Sequence, residues 1–312
     1  MHPVSVTAVD ETSILSIKGL RFAYGDIVAL DGVSVDVPAG RIGLVGANGA
    51  GKTTLLKLLL GVLPPGEGSI QVLGHSVPQQ TLEVRSQVGW MPERDCLPPD
   101  QTASDFLGYA AELGGLPVRA ARQRASDILG LVGLHEERFR YMGGFSTGMK
   151  QRAKLAQALV HDPDLVLLDE PTAGLDPEGR AEMLDLVRRL DEFGINAIIS
   201  SHVLTDIEYT CDWVVMLDGG KVLRSGPLTA LSTPDVAELE VIGDAAAVAQ
   251  FAVGKGASVE IDGSSLTISA PGGDPFTIAR DAVLDAGAAF RRLGTKRTTL
   301  EDVFMSGGDS DG

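Results

Sequence analysis

Cysteine is scarce in this chain of 312 residues: Cys96 and Cys211 are the only two. They form no C-x-x-C pair and have no metal-ligand spacing, which excludes a disulfide framework or a cysteine zinc site and leaves two reduced, structural thiols. Long apolar runs are missing too. No uncharged stretch approaches the ~18 residues a spanning helix needs, so any membrane association is expected to come through a partner. Basic charge is in deficit, with 26 Lys and Arg against 42 Asp and Glu and a net charge of −16. That argues against the basic footprint of a nucleic-acid binder, so no nucleic-acid partner is expected. The acids are spread along the chain and read as a solvated surface. The opening MHPVSVTAVDETS has no basic stretch followed by an apolar one. It is therefore not read as a secretory signal, and the expected location is cytoplasmic.

What is present centres on GLVGANGAGKTT, residues 43–54. Gly46 is followed by four residues and then Gly51, Lys52 and Thr53, the G-x-x-x-x-G-K-[ST] pattern of a phosphate-binding loop. An apolar strand near Arg41–Val45 precedes it and a helical run, TLLKLLLGVL, follows. The glycines let the backbone of Gly46, Asn48, Gly49, Ala50 and Gly51 curl so that N–H groups converge. Lys52, Thr53 and Thr54 begin a helix whose first N–H groups are free for an anion. Lys52 reaches terminal phosphates as a point charge, and the Thr53 hydroxyl is a ligand for the Mg²⁺ that accompanies a nucleotide. A glycine-rich turn without a ligand is the competing reading. The strand and helix around the fixed Gly-Lys-Thr decide against it.

Around this loop the chain alternates. Residues 14–37 read as short antiparallel strands turning at Gly19, Gly25 and Gly32, with Tyr24 at a strand end. SIQVLG is another strand, QVGWMP a short one, and residues 101–139 are helical with breaks at Gly114, Gly115 and Pro117. This helical block, about 95–160, interrupts β structure and reads as an inserted subdomain. LVLLDE, residues 165–170, reads as a buried parallel strand ending in two carboxylates. Two carboxylates there are expensive unless something needs them. Asp169 is placed to hold Mg²⁺, and Glu170 to polarise an attacking water. INAIISSH is a further strand, ending at His202.

Composition shifts at Ser232-Thr233-Pro234. Beyond it the order is βαββαβ, which suits a small ferredoxin-like α+β domain over 233–306. TLEDVFM is expected as a short helix capped by Thr298 or Thr299. Residues 1–13 are expected as a loose leader and 307–312 as a disordered tail. There is no second copy of the phosphate loop, so the chain is not a tandem array.

The chain resembles the ATP-binding cassette ATPases. FSTGM at 145–149 is similar to their signature motif, LVLLDE to their acidic motif, AGLD at 173–176 to the loop joining two cassettes, and SSH at 200–202 to their switch histidine. Tyr24 matches their adenine-stacking aromatic. With the phosphate loop, these six motifs span residues 24 to 202 in the family's order. The resemblance implies an α/β P-loop nucleotide hydrolase over 14–232 with antiparallel β and helical subdomains. It implies ATP and Mg²⁺ as cofactors, and a head-to-tail homodimer with two ATPs at its interface. Ser146 and Gly148, at a helix N-terminus, would face the partner's γ-phosphate. Asp176 would lie at the subunit boundary, and His202 would hydrogen-bond the γ-phosphate and hold the water that Glu170 polarises.

YMGGFSTGMKQR, SSHVLTDIE and TTLEDVFM narrow the resemblance to bacterial cassettes that export drugs and natural products. In those, the ATPase pairs with a separate transmembrane permease subunit. Where the family places a glutamine after QVGWMP, this chain has Glu93. It is either a third oxygen ligand for Mg²⁺, beside Thr53 and Asp169, or a loop carboxylate facing solvent or the helical block. Two other function classes compete. A soluble cassette acting on ribosomes or nucleic acid usually carries two cassettes or basic surface, and neither is present. A nucleoside kinase would share only the phosphate loop.

Overall fold

The structure, a computed structural model, describes residues 13–231, 236–270 and 274–295. The expected leader through Glu11 and Thr12, the shift at Ser232–Pro234, the helix TLEDVFM and the tail lie outside the described residues. Two long strands, β1 (Ser13–Tyr24) and β2 (Ile27–Pro38), open the fold and pair antiparallel. Gly19 and Gly32 do not turn the chain as expected; they lie within these strands with φ of 59° and 71°. The register of β1 against β2 shifts between Ile17 and Leu20. A glycine at positive φ absorbs such a bulge without ending the strand. Only Gly25 makes a turn between strands here.

Then come β3 (Arg41–Val45), α1 (Lys52–Leu59), β4 (Glu67–Val72), β5 (His75–Val77), α2 (Thr81–Gln87) and β6 (Val88–Met91). The helical block follows as α3 (Ala103–Leu113), α4 (Val118–Leu131) and α5 (Thr147–Leu159). After it the chain runs through β7 (Leu165–Asp169), α6 (Pro177–Arg188), β8 (Asn196–Ser201), α7 (Leu204–Thr210), β9 (Trp213–Asp218), β10 (Lys221–Pro227) and the short α8 (Leu228–Leu231). β5 and α2 are not legible in the sequence. One is three residues long, and the other, TLEVRSQ, buries a single residue, Val84.

The first sheet is antiparallel in the order β2-β1-β4-β5. The second runs β10-β9-β3-β8-β7-β6, parallel from β9 to β6 with β10 antiparallel at its edge. In β7, Leu165 to Leu168 are fully buried, as expected of a parallel strand covered on both faces. Leu55, Leu56, Leu58 and Leu59 of α1 share one core with Leu15, Ile17 and Ile70 of the first sheet and Ile42, Leu44 and Leu167 of the second. The carboxyl ends of β3, β7 and β8 lead into Gly46, Glu170 and His202, where an open α/β sheet places its ligand crevice.

The chain divides into two units between Leu228 and Thr229. The second contains β11 (Val236–Ile242), α9 (Ala245–Gly254), β12 (Ser258–Asp262), β13 (Ser265–Ser269), α10 (Pro275–Asp285) and β14 (Ala289–Thr295). Its sheet is antiparallel in the order β12-β13-β11-β14. Leu239, Val248, Leu266, Ile268 and Val283 are buried in its own core. α10 stops at Asp285, because Gly287 turns the chain at φ 62° and Ala289 and Phe290 enter β14. Among the described residues, no helix is long and apolar enough to cross a membrane.

Candidate active site

Close packing dictates the shape of the phosphate loop. A Cβ at Gly46 would run into the Leu217 carbonyl and stand 2.9 Å from the Ala50 Cβ. Gly51 has φ 103°, and a Cβ there would stand 2.7 Å from the Ala29 carbonyl. Ala50 N–H donates to the Ala47 carbonyl at 3.1 Å, which fixes the bend. Lys52, buried, donates from Nζ to the carbonyls of Gly46 at 2.6 Å and Ala47 at 3.3 Å. α1 starts at Lys52, so its first turn offers N–H groups without intrahelical acceptors.

The two carboxylates at the carboxyl end of β7, Asp169 within it and Glu170 just beyond, take different partners. Asp169, 1% exposed, accepts from Thr53 Oγ1 at 2.8 Å and from Ser200 Oγ at 2.5 Å. Strand alternation alone would send Glu170 the other way. Its φ of 50° places it in the left-handed region and breaks that alternation. The turn is held by Glu170 N–H, which donates to the Ser200 carbonyl at 3.2 Å and Ser200 Oγ at 3.1 Å. Glu170 Oε1 lies 3.6 Å from Lys52 Nζ, and its Oε2 2.9 Å from His202 Nδ1. Ser200 is thus a site residue to which sequence reasoning gave no role. Its signal was a hydroxyl at the end of an otherwise apolar strand.

A cavity of about 530 Å³ brings together Tyr24, Asn48, Gly49, Gly51, Lys52, Thr53, Thr54, Glu93, Glu170 and His202. Ile27, Val28 and Ala29 add an apolar wall beside Tyr24. Tyr24 packs edge-on against Phe22, with ring centroids 4.9 Å apart, and remains 47% exposed, which leaves aromatic surface for stacking. Gly46 and Ala50 do not line this cavity; they are buried and set the shape of the loop. Asp169 lines a neighbouring cavity of about 330 Å³ with Thr53, Lys57, Trp90 and Glu93.

Ser146, Gly148 and Asp176 lie elsewhere, in a third cavity of about 480 Å³ that also takes in Arg152 and Glu182, an ion pair. Ser146 caps α5, its Oγ accepting from Met149 N–H at 3.3 Å. Asp176 caps α6, accepting from Gly179 N–H at 2.9 Å. No residue is common to this cavity and the phosphate-loop cavity.

Two further polar residues of α5 also escaped sequence reasoning. Gln151 Nε2 donates to the Ala173 carbonyl at 2.9 Å, and Lys154 Nζ to the carbonyls of Pro92 and Glu93 at 2.8 and 2.9 Å. Burial lowers the pKa of the Lys154 ammonium. Burial likewise pushes the Cys211 thiol up to about 12. Cys96 lies at the surface, but its Sγ turns toward Gln157 Oε1 at 3.7 Å and desolvation raises its pKa too. Desolvation thus disfavours the thiolate at both cysteines.

The ABC transporter family model matches residues 30–173. Nod factor export ATP-binding protein I of Ralstonia nicotianae is 33% identical over 95% of this chain and 94% of its own. Linearmycin resistance ATP-binding protein LnrL of Bacillus subtilis is 34% identical over 70% of each chain. Among solved structures, cbiO1 of Clostridium perfringens, part of the ABC transporter complex cbiONQ, superposes with a TM-score of 0.65 at 28% identity, over 70% of this chain and 90% of its own. With a relative of this identity matched over nearly its whole length, the chain belongs to the ABC transporter family as an ATP-binding ATPase subunit.

Proposed function

We propose that this chain is the ATP-hydrolysing subunit of a membrane exporter. It works as a head-to-tail homodimer holding two ATPs between protomers, joined to a separate transmembrane subunit at the inner face of the cell membrane. The observation that carries the dimer is the division of the machinery between two cavities. The phosphate loop, Glu170 and His202 share one, while Ser146, Gly148 and Asp176 share another. A second copy turned head to tail would set the Ser146 end of its α5 over the first copy's phosphates, where helix N–H groups favour an anion. The Nod factor and linearmycin relatives, named for export and resistance, support the export reading.

In this reading Tyr24 stacks on the base, the phosphate loop and Lys52 hold the phosphates, and Glu170 accepts the proton of the attacking water. The hydrogen bond between His202 and Glu170 keeps the imidazole beside that carboxylate, from where it would hydrogen-bond the γ-phosphate. The donors fit Mg²⁺: Thr53 Oγ1 and Asp169 Oδ2 are hard oxygens held together at 2.8 Å. When bound, Mg²⁺ neutralises charge on the terminal phosphates.

Glu93 borders both the cavity with Thr53 and Glu170 and the cavity with Asp169. Glu93→Gln is expected to improve ATP affinity in chelator and to improve it less, or weaken it, with Mg²⁺. Without metal, a carboxylate near a polyanion costs on the order of a kcal/mol. Titrating ATP into both proteins under both conditions checks this; an unchanged ratio of the two affinities removes Glu93 from the metal.

We also infer that residues 233–306 form an accessory domain of ferredoxin-like type, set off from the rest where the structure divides between Leu228 and Thr229. Cutting the chain after Leu228 is expected to keep ATP affinity within about twofold, measured by titration, while global unfolding of the remainder would refute the boundary. The export reading is tested by pulling the tagged full chain from detergent-solubilised membranes. Recovery of a membrane-spanning partner supports it. Recovery only in the soluble fraction, with ribosomes or nucleic acid, overturns it.

A further inference from the structure

Among the described residues two lysines are buried, Lys52 and Lys154. The first belongs to the phosphate loop. The second, 3% exposed, sits on the inward face of α5 with no carboxylate at ion-pair distance among the described residues, held by the Pro92 and Glu93 carbonyls alone. An apolar side chain would spare the desolvation of a charge but would leave the Pro92 and Glu93 carbonyls without this donor, so the lysine is there to hold that loop.

Its neighbours suggest a role. One turn earlier on α5, Lys150 Nζ pairs with Asp95 Oδ2 at 2.8 Å, so the segment after β6 is tied to the helix twice. Three residues before Lys154, the buried Gln151 holds the Ala173 carbonyl. Ala173 N–H in turn donates to the Glu170 carbonyl at 3.1 Å. Glu93 and Ala173 both line the phosphate-loop cavity, and Ser146 caps the same helix. One helix therefore holds two walls of one cavity and presents its N-terminus to another.

We infer that Lys154 is a positioning residue for hydrolysis: by holding the Pro92 and Glu93 carbonyls it fixes that loop to α5, which through Gln151 also holds the loop after Glu170. The two walls of the ATP cavity and the Ser146 end of α5 then move as one body. The inference rests on the ATPase reading above. Methionine matches the lysine in length but donates nothing to the two carbonyls. Arginine keeps charge and donors.

The test compares full-length wild type, Lys154→Met and Lys154→Arg by steady-state ATPase. It also follows the ATP-induced change in Trp90 emission, in a Trp213→Phe background. Trp90 lies three residues before Glu93 and lines a cavity with it. Lys154→Met is expected to lower kcat about tenfold or more, as a misplaced wall does, with KM within about threefold, and to lose the Trp90 response; Lys154→Arg should recover most of both. A Lys154→Met kcat within about twofold of wild type, or a raised KM with kcat unchanged, overturns the inference. So does an intact Trp90 response, or no recovery with arginine. Should Lys154→Met fail to fold, Lys154→Gln, a neutral donor of shorter reach, is read by the same criteria. If the wild type binds ATP without hydrolysing it, the ATPase reading is at fault, and the Trp90 response still decides the role of Lys154.

Discussion

Replacing Glu170 with glutamine is expected to lower turnover by about 10²-fold or more, the scale on which a general base contributes. ATP affinity should hold, and the protein should accumulate as an ATP-bound dimer. The amide is isosteric and still hydrogen-bonds His202, which now lies 2.9 Å from Oε2. What it cannot do is take a proton from water. Lys52 loses a carboxylate 3.6 Å away but keeps the Gly46 and Ala47 carbonyls, so the phosphate cradle survives. Removing a negative charge beside the phosphates favours the bound state. Steady-state hydrolysis, ATP titration and light scattering with saturating Mg·ATP read the three consequences. A variant that stays monomeric would count against the shared interface. Lys52→Ala is the contrasting control, because it should lose ATP affinity first.

Ser146→Arg should abolish turnover while the isolated monomer binds ATP as before. Ser146 is exposed at the start of α5, in a cavity that shares no residue with the phosphate loop. A long cation there fills the space that a second protomer's nucleotide would enter, and removes the hydroxyl that caps the helix. Loss of a cap costs about 1 kcal/mol and leaves the fold intact. ATP titration at concentrations below dimerisation, set beside ATPase rates at high concentration, separates the two effects. A large loss of monomer affinity would place Ser146 in its own protomer's pocket.

The parts of the site fixed by chemistry were legible in the sequence. Gly46, Gly51, Lys52 and Thr53 follow from what phosphates require, and Asp169 with Glu170 from the oddity of two acids ending an apolar strand. The misreadings have physical causes. Gly19 and Gly32 carry the usual sign of a turn, but positive φ serves a bulge equally well, and only cross-strand pairing tells the two apart. Gln151 and Lys154 look like solvent-facing residues of an amphipathic helix, because composition does not reveal that backbone carbonyls from two loops wait on the inner face. Ser200 hid for the same reason, its partners being Asp169 at the end of β7 and Glu170 just beyond. The separation of the Ser146 cavity from the phosphate loop agrees with what the family resemblance implied, although motif order by itself does not measure distance through the fold.

The backbone at Glu170 bears on how this protein could change under selection. A glutamate held at φ 50° occupies a region that glycine and asparagine enter easily. Holding it there costs on the order of 1 kcal/mol or more. The carboxylate proposed as the general base is thus kept at the expense of heat resistance. Evolved for thermal endurance alone, the position would drift toward glycine or asparagine, and the hardiest descendants would be durable and inactive. Directed evolution of this ATPase for stability therefore has to screen activity in every round.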